Sequence, residues 1–273
     1  MKKYYLLLGI INTLCVSAQT ITGTVYSKGS QEVVPYAKIG IVNENIGIQA
    51  DEKGQYTLKL DNVSRDKQLM ILVGGYETYK VTVADFIKNN PHPIYLEPKV
   101  INIQEVAITP SYKEKNMGVN SKSKSIMFTP NMEKGNDVIE ETAVGFKTSK
   151  KLKIMKINMN FARFDSSTPV KVRYTIYSEK DGKPDQLILN KEIIETISQS
   201  QITNQTFSLD VSKDNIWMQG NFYVGIQFIG QANAKVALSG ALFHSGFYRS
   251  FYGAWEKIGM AAPAINIDVK IKK

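Results

Sequence analysis

The stretch Asp51-Glu52-Lys53-Gly54-Gln55-Tyr56-Thr57-Leu58 places a turn and a strand side by side. The side chain of Asp51 can accept the backbone N–H groups that follow it, and Gly54 can adopt the positive φ that closes such a turn. Tyr56, Leu58 and Leu60 then alternate with polar residues, which is the pattern of a strand with one buried face. The stretch therefore predicts one corner of a small all-β unit.

Short apolar or alternating segments, separated by turn residues, surround this corner on both sides. They cover residues 21–26, 34–41, 68–73, 79–83, 94–96 and 103–108. Residues 84–90 have room for one short helical turn. About seven strands with a turn every eight to twelve residues predict a Greek-key β-sandwich.

Several of these blocks, in this order, resemble the carboxypeptidase-like regulatory domain, a transthyretin-like β-sandwich. They include Ile21-Thr22-Gly23-Thr24-Val25, the Asp51 stretch, Gly75-Tyr76-Glu77-Thr78 and Gln104-Glu105-Val106. That domain occurs at the N-termini of TonB-dependent receptors and in other exported bacterial proteins. The resemblance implies a fold and an exported, envelope-associated setting, and it carries no peptidase activity. We expect no receptor barrel after it, because such a barrel needs about 22 strands.

The first 18 residues have the pattern of a signal peptide. Met1-Lys2-Lys3 precedes an apolar run, and Val16-Ser17-Ala18 supplies the small residues that a signal peptidase requires. We therefore expect the mature chain to begin at Gln19 and to be exported to the periplasm or the cell exterior, with outer-membrane association left open. Cys15 lies inside this leader, so the mature chain contains no thiol. No later stretch is apolar over a membrane-spanning length, so we expect no integral membrane protein after cleavage.

The composition is that of a folded, mildly basic β protein. Apolar residues make up 43% of the chain, and 34 basic against 25 acidic residues give a formal charge of +9. The lysines are scattered or alternate along strands, which indicates a solvated face and not a nucleic-acid site. Attraction to acidic polysaccharide or to membrane surfaces remains a minor alternative.

The rest of the chain predicts a second sandwich after a linker. Residues 109–137 are polar and rich in serine and lysine, apart from a short apolar segment at 126–128 that can form a docking strand. Residues 138–273 contain eight or nine strand patterns and no convincing helix, which favours a jelly-roll-type sandwich. Within the strand at 152–161, we expect the face that carries Met155 to be the core face.

Few residues of the chain suit catalysis. His92 and His244 are its two histidines, no nucleophile elbow is present, and the ligand spacing of a zinc site is missing. Glu140 with Glu141, and Glu192 with Glu195, are candidate carboxylate pairs for glycoside cleavage, although outward-facing acidic residues on strands and loops are the favoured explanation. The Asp51 turn lacks the further acidic positions of a calcium loop. We expect no catalytic residue, metal or cofactor.

An aromatic stretch from Phe243 to Trp255 is the strongest candidate for a ligand site. If its rings face outward, Tyr248, Tyr252 and Trp255, with His244 and Arg249, are suited to grip the faces of sugars. The alternative is that Phe243, Phe247, Phe251 and Trp255, spaced by four, pack inward and close one end of the sandwich.

The sequence thus predicts a non-enzymatic, exported, two-domain binding or interaction protein of the bacterial envelope. Its expected partner is an envelope protein or a glycan. The alternative is a carbohydrate-binding accessory protein, or a hydrolase acting on glycans, that uses the second sandwich.

Overall fold

The computed structural model describes residues 19–89, 92–99, 111–130, 140–229 and 234–272. The predicted leader and the predicted strand at 103–108 lie outside these ranges. The described part contains one α-helix, α1 (Val83–Lys88), two single-turn 3-10 helices and 20 strands. The strands are β1 (Thr20–Ser27), β2 (Lys38–Ile41), β3 (Gly47–Gln49), β4 (Gln55–Lys59), β5 (Gln68–Leu72), β6 (Tyr79–Thr82), β7 (His92–Leu96), β8 (Tyr112–Gly118), β9 (Met127–Phe128), β10 (Glu140–Ser166), β11 (Val170–Lys180), β12 (Lys183–Leu187), β13 (Ile193–Ile197), β14 (Thr206–Asp210), β15 (Trp217–Ile229), β16 (Ala234–Leu242), β17 (Gly246–Ser250), β18 (Glu256–Lys257), β19 (Ala261–Pro263) and β20 (Ile265–Lys272).

The first domain, β1 to β7 with α1, is a two-sheet sandwich. One sheet has the order β4-β1-β7 and the other β3-β2-β5-β6. A continuous apolar core, which includes Val25, Ile39, Leu58 and Ile71, lies between them. The predicted seven-stranded sandwich is confirmed in the described part of the chain, and so is the single helical turn after residue 83. The expectation that His92 lies in a loop is wrong, because His92 begins β7.

The corner at Asp51 has the predicted geometry. Oδ1 of Asp51 accepts the backbone N–H groups of Lys53 and Gln55, both at 2.8 Å, and Gly54 adopts a φ of 69°. The strand that follows alternates exposed and buried residues, as a strand with one core face must. The strand β4 that follows the turn pairs antiparallel with β1.

The second domain, β8 to β20, is a single hydrogen-bonded network of 13 strands around a separate apolar core. Its centre is β10, a strand of 27 residues. β10 pairs with β15 and β14 along one edge and with β17, β20 and β16 along the other. The all-β fold class predicted from the sequence is confirmed for both halves. In the described part of the chain, no helix is long and apolar enough to cross a membrane.

The prediction of a linker over 109–137 is wrong for the described residues 112–118. They form β8, which pairs antiparallel with β20 along its whole length. β8 is an edge strand whose side chains are largely exposed, so its sequence is polar and lacks the alternation that would reveal a strand. The short strand predicted at 126–128 is confirmed, because Met127 and Phe128 pair with β16.

The buried face of β10 changes sides at a bulge. Leu152 and Ile154 are fully buried, and so are Ile157, Met159 and Phe161, but Met155 is only half-buried. The register with β20 shifts between Ile154 and Lys156, and such a shift moves the core face by one residue. The predicted face is therefore correct after the bulge and wrong before it.

The two domains pack closely against each other. All four residues of β2 are buried: Ile39 and Ile41 face the core of the first domain, while Lys38 and Gly40 face the second domain. The ring of Tyr252 lies against Gly40, where an added Cβ would come within 2.8 Å of it. The N–H of Asn43 also donates to the carbonyl of Tyr252 at 2.9 Å. These contacts hold the two sandwiches in one arrangement.

Candidate functional site

A buried carboxylate, Glu141, lies at the centre of the contact between the two domains. Oε2 of Glu141 accepts from Lys38 of the first domain at 3.2 Å and from Arg249 Nη2 at 2.9 Å. Its other oxygen, Oε1, accepts from Thr175 at 2.8 Å and from Tyr177 at 2.6 Å. Glu141 is 1% exposed. We refer to Lys38, Glu141, Arg249, Thr175 and Tyr177 as the interdomain cluster.

The cluster keeps its carboxylate ionised. Burial alone would raise the pKa of Glu141, but the charges of Lys38 and Arg249, with the hydrogen bonds from Tyr177 and Thr175, hold that pKa well below its usual range. Burial lowers the pKa of Lys38 to about 7. The attraction of Glu141 opposes this fall, whereas repulsion from Arg249 and Arg173 adds to it. Burial also raises the pKa of Tyr177, so its hydroxyl remains a donor.

This low pKa of Lys38 predicts a pH dependence of stability. The ordinary value for lysine is 10.5, so between pH 7.5 and 9.5 the unfolded chain binds a proton that the folded chain does not. Raising the pH should therefore stabilise the folded state, by about 1 kcal/mol for each pH unit. Urea unfolding at several pH values across this window should show the free energy of unfolding rising with pH in the natural protein. In Lys38→Met it should change less with pH. Lys80→Met, which changes an exposed lysine, should follow the natural protein. Parallel curves for Lys38→Met and the natural protein would contradict the prediction.

A second ion pair lies beside the cluster. The guanidinium of Arg173 pairs with Glu192, donates to Gln227 at 2.8 Å and reaches the backbone carbonyl of Tyr36 in the first domain. Glu192 in turn accepts the N–H of Gly74. A cavity of about 10 Å³ between these groups is too small for anything larger than water. The interdomain cluster and this pair therefore hold the domains together and leave no space for a substrate.

The carboxylate pairs considered from the sequence do not converge on a cleft. Glu140 and Glu141 are neighbours in β10, so their side chains leave opposite faces of the sheet. Glu192 is bound by Arg173, whereas Glu195 lies within β13 opposite Val172. Within the described ranges, no three His, Cys, Asp or Glu side chains are grouped as a metal site would require.

The aromatic stretch from Phe243 to Trp255 divides into an exposed part and a buried part. Tyr252 and Trp255 are 2% and 7% exposed, and Arg249 belongs to the interdomain cluster, so the expectation of an outward-facing platform is wrong for these three residues. Phe247 and Phe251 are also buried, as the inward-packing alternative predicts. The physical reason is that Phe251 and Tyr252 pack against Gly47 and Gly40 of the first domain.

The exposed part of the stretch borders a groove. This groove has a volume of about 690 Å³ and lies between β10, β15, the β11–β12 turn and the connection from β16 to β17. Five aromatic residues line it, namely Phe146, Phe222, Tyr223, Phe243 and Phe247; Phe243 is exposed and the other four are buried. His244 also lines it. Tyr248 lies outside the groove, and its hydroxyl donates to Glu256 at 2.7 Å.

Charged groups line the groove as well. Lys147, Lys183 and Lys257 line the groove together with Glu179 and Asp181. Glu179 accepts from the side chain of Asn221 at 2.9 Å and from the N–H of Gly182 at 2.6 Å, and these bonds lower its pKa. A carboxylate held ionised in this way suits ligand binding better than proton donation.

Phe243 stands at the mouth of the groove in an unfavourable conformation. Its side chain is 86% exposed and its φ is 63°, a left-handed value that bulky residues rarely adopt. Its N–H donates to the carbonyl of Met260 at 2.6 Å, and Leu242 and Met260 are exposed as well. Backbone strain of this kind clusters at functional sites, so Phe243 is a candidate contact residue.

The sequence pointed to His244 but missed the opposite wall of the groove. The inward packing considered for Phe243 is wrong, because its side chain is 86% exposed. The opposite wall is formed by the turn from Glu179 to Lys183. The sequence predicts the turn but not its position beside a groove. The one available signal was the Asp181-Gly182 pair, which fixes the turn but says nothing of what lies across from it.

The comparisons with known proteins concern mainly the first domain. The family model of the CarboxypepD_reg-like domain matches residues 21–108. Residues 21–108 are a CarboxypepD_reg-like domain. This confirms the resemblance seen in the sequence, and it covers about a third of the chain. The face of the CarboxypepD_reg-like domain that carries β2 is the one that contacts the interdomain cluster.

Similarity to solved structures is distant. The cysteine protease and lectin-like domains of Cwp84 from Clostridium difficile align over 55% of this chain and 37% of that one, with 14% identity and a TM-score of 0.38. A structure of infectious bursal disease virus, Gx strain, aligns over 93% of this chain and 63% of that one, with 10% identity and a TM-score of 0.27. This chain thus matches less than two thirds of the length of either. No curated protein matches its sequence.

Proposed function

We propose that this protein is a non-enzymatic, exported binding protein of the bacterial envelope, and that the groove of the second domain holds its ligand. The observation that carries the proposal is Phe243, an exposed aromatic ring held in a strained conformation at the mouth of a groove. The volume of the groove lies within the range of about 300–1,000 Å³ that is typical of small-ligand sites.

The lining favours a carbohydrate as the ligand. Aromatic rings contact the apolar faces of sugars, while the lysine, carboxylate and asparagine side chains around them suit hydroxyl groups. The CarboxypepD_reg-like domain supports the envelope setting, because domains of this kind occur in exported proteins. In this proposal it acts as a rigid support for the second domain.

Phe243→Gly should separate binding from stability. Glycine adopts a φ of 63° without strain, and a bulky residue there costs about 1–2 kcal/mol, so we expect the free energy of unfolding to stay within about 1 kcal/mol of the natural value. We expect the affinity for ligands found on a glycan array to fall by about tenfold or more. Such a fall corresponds to the loss of about 1.4 kcal/mol of binding free energy from one stacking ring.

Val33→Ser, which removes an exposed apolar residue from the first domain, is the matched control and should keep full binding. Each glycan that binds should also be incubated with the protein and its length measured. Shorter products would show a hydrolase and overturn the non-enzymatic part of the proposal. Unchanged binding by Phe243→Gly would show that the groove is not the site.

A further inference from the structure

A second surface with the character of a binding site lies away from the groove, on the outer face of the sheet formed by β15, β10, β20 and β8. Trp217 is 39% exposed there, and its ring lies 6.2 Å from that of Tyr112. Four lysines surround the two rings: Lys151, Lys153, Lys270 and Lys272. We refer to these six residues as the lysine–tryptophan face.

The strand register places these lysines on one side of the sheet. Lys153 is directly opposite both Trp217 and Lys270, and Lys272 is directly opposite Tyr112. Directly opposed residues of antiparallel strands share a face, so the positive charges and the aromatic rings are presented together. The ammonium groups of Lys151 and Lys153 lie 5.3 and 5.9 Å from the centre of the Trp217 ring.

The opposition of Lys153 and Lys270 is unfavourable where no anion offsets it, and Glu114 lies near Lys270 only. Like charges directly across a strand pair destabilise it. The two side chains diverge, since Lys153 donates to Asn215 at 2.7 Å while Lys270 lies 3.8 Å from Glu114 on the other side. The space between them faces solvent and carries excess positive charge, which a negatively charged ligand would offset.

A second groove continues from Trp217. It has a volume of about 390 Å³, and its lining mixes polar residues, among them Asn190, Lys191, Asp214 and Asn215, with the aliphatic residues Ile188, Leu189, Ile193, Ile216 and Met218. The charges of Lys191 and Asp214 are paired with each other. The amide side chains of Asn190 and Asn215 suit the hydroxyl groups of a sugar chain.

We propose that the lysine–tryptophan face binds an acidic polysaccharide, whose carboxylates contact the lysines while its sugar rings lie over Tyr112 and Trp217. This site is independent of the groove at Phe243. It gives the net positive charge of the chain a role in binding, which the groove does not.

The proposal is tested with polygalacturonate, a linear chain of uronic acids, added to the purified full chain at low salt. The chain has two tryptophans, and Trp255 is buried, so a change in tryptophan emission reports on Trp217. We expect a saturable change in emission and an affinity that falls as salt is added. The double variant Lys153→Gln/Lys270→Gln should bind about tenfold more weakly.

Controls separate this site from general charge and from lipid. Lys59→Gln/Lys80→Gln removes two exposed lysines of the first domain and should bind like the natural protein. Equal weakening by both lysine pairs would overturn the proposal, as would neutral dextran binding as well as polygalacturonate. Binding of phosphatidylglycerol vesicles through Lys153 and Lys270, with no binding of polygalacturonate, would also overturn it in favour of a membrane contact.

Discussion

Glu141→Gln should lower the free energy of unfolding by about 3–5 kcal/mol, the largest single effect that we expect in this chain. The amide keeps the size of the side chain but removes the charge that Lys38 and Arg249 share inside the protein. Arg249 then keeps a buried charge without its partner, and Lys38, whose pKa Glu141 no longer raises, stays inside the protein as a neutral amine. Urea denaturation at pH 7 measures the loss directly.

Glu140→Gln is the control, because Glu140 is the neighbouring residue, is only half-buried and lies outside the interdomain cluster. We expect it to change the free energy of unfolding by less than about 0.5 kcal/mol. The double variant Glu141→Gln/Lys38→Met should recover part of the stability, since it replaces a buried amine that has lost its charged partner with an apolar side chain. A loss below about 1 kcal/mol for Glu141→Gln would mean that the cluster is not a buried ionic contact.

Gly74→Ala should disrupt the contact between the domains and lower the free energy of unfolding by about 2–3 kcal/mol. A Cβ at position 74 would lie 2.3 Å from the carbonyl oxygen of Lys191 and 2.7 Å from the backbone nitrogen of Glu192. Both are backbone atoms, so no side-chain rotation can relieve the overlap. We expect an increase in the radius of gyration measured by small-angle X-ray scattering, because the domains move apart.

Gly29→Ala tests whether the effect at Gly74 is specific. Gly29 has a φ of 98° in an exposed turn of the first domain, and nothing lies within 4 Å of an added Cβ. The substitution should cost about 1 kcal/mol in backbone strain and leave the radius of gyration unchanged. The assigned role of Gly74 would be contradicted if the radius of gyration increased equally in both variants, or if it increased in neither.

The first domain was predictable because its signals are local. The Asp51 turn, its glycine and the alternation from Tyr56 to Leu60 are all contained in ten residues, and each has the expected geometry in the structure. The resemblance to the CarboxypepD_reg-like domain rests on the same kind of short block. Local hydrogen bonds and a two-residue period are what a sequence displays most directly.

The second domain was less predictable because its strands depend on distant partners. β8 becomes a strand through its pairing with β20, and a bulge in β10 moves the core face by one residue. Neither feature leaves a periodic signal in the sequence near it. The strands at 152–161, 170–177 and 221–228 could be recognised from the sequence. In these segments, apolar residues either occupy both faces of the strand or alternate with polar residues.

The interdomain cluster could not be predicted at all. Lys38 alternates with apolar residues in β2 and has the pattern of a lysine that faces water. Its burial comes from a second domain that covers this face, and the sequence does not show which face is covered. The aromatic stretch was identified correctly as unusual, but sequence spacing could not show that its second half packs on the first domain.

The position of Glu141 in the chain has a consequence for folding kinetics. It lies 103 residues after Lys38 and 108 residues before Arg249. Withdrawing its charge from water is unfavourable until both cations arrive, and contacts across such long loops form slowly. We therefore expect docking of the two domains to be a late step of folding, which leaves the β2 face of the first sandwich hydrated until then.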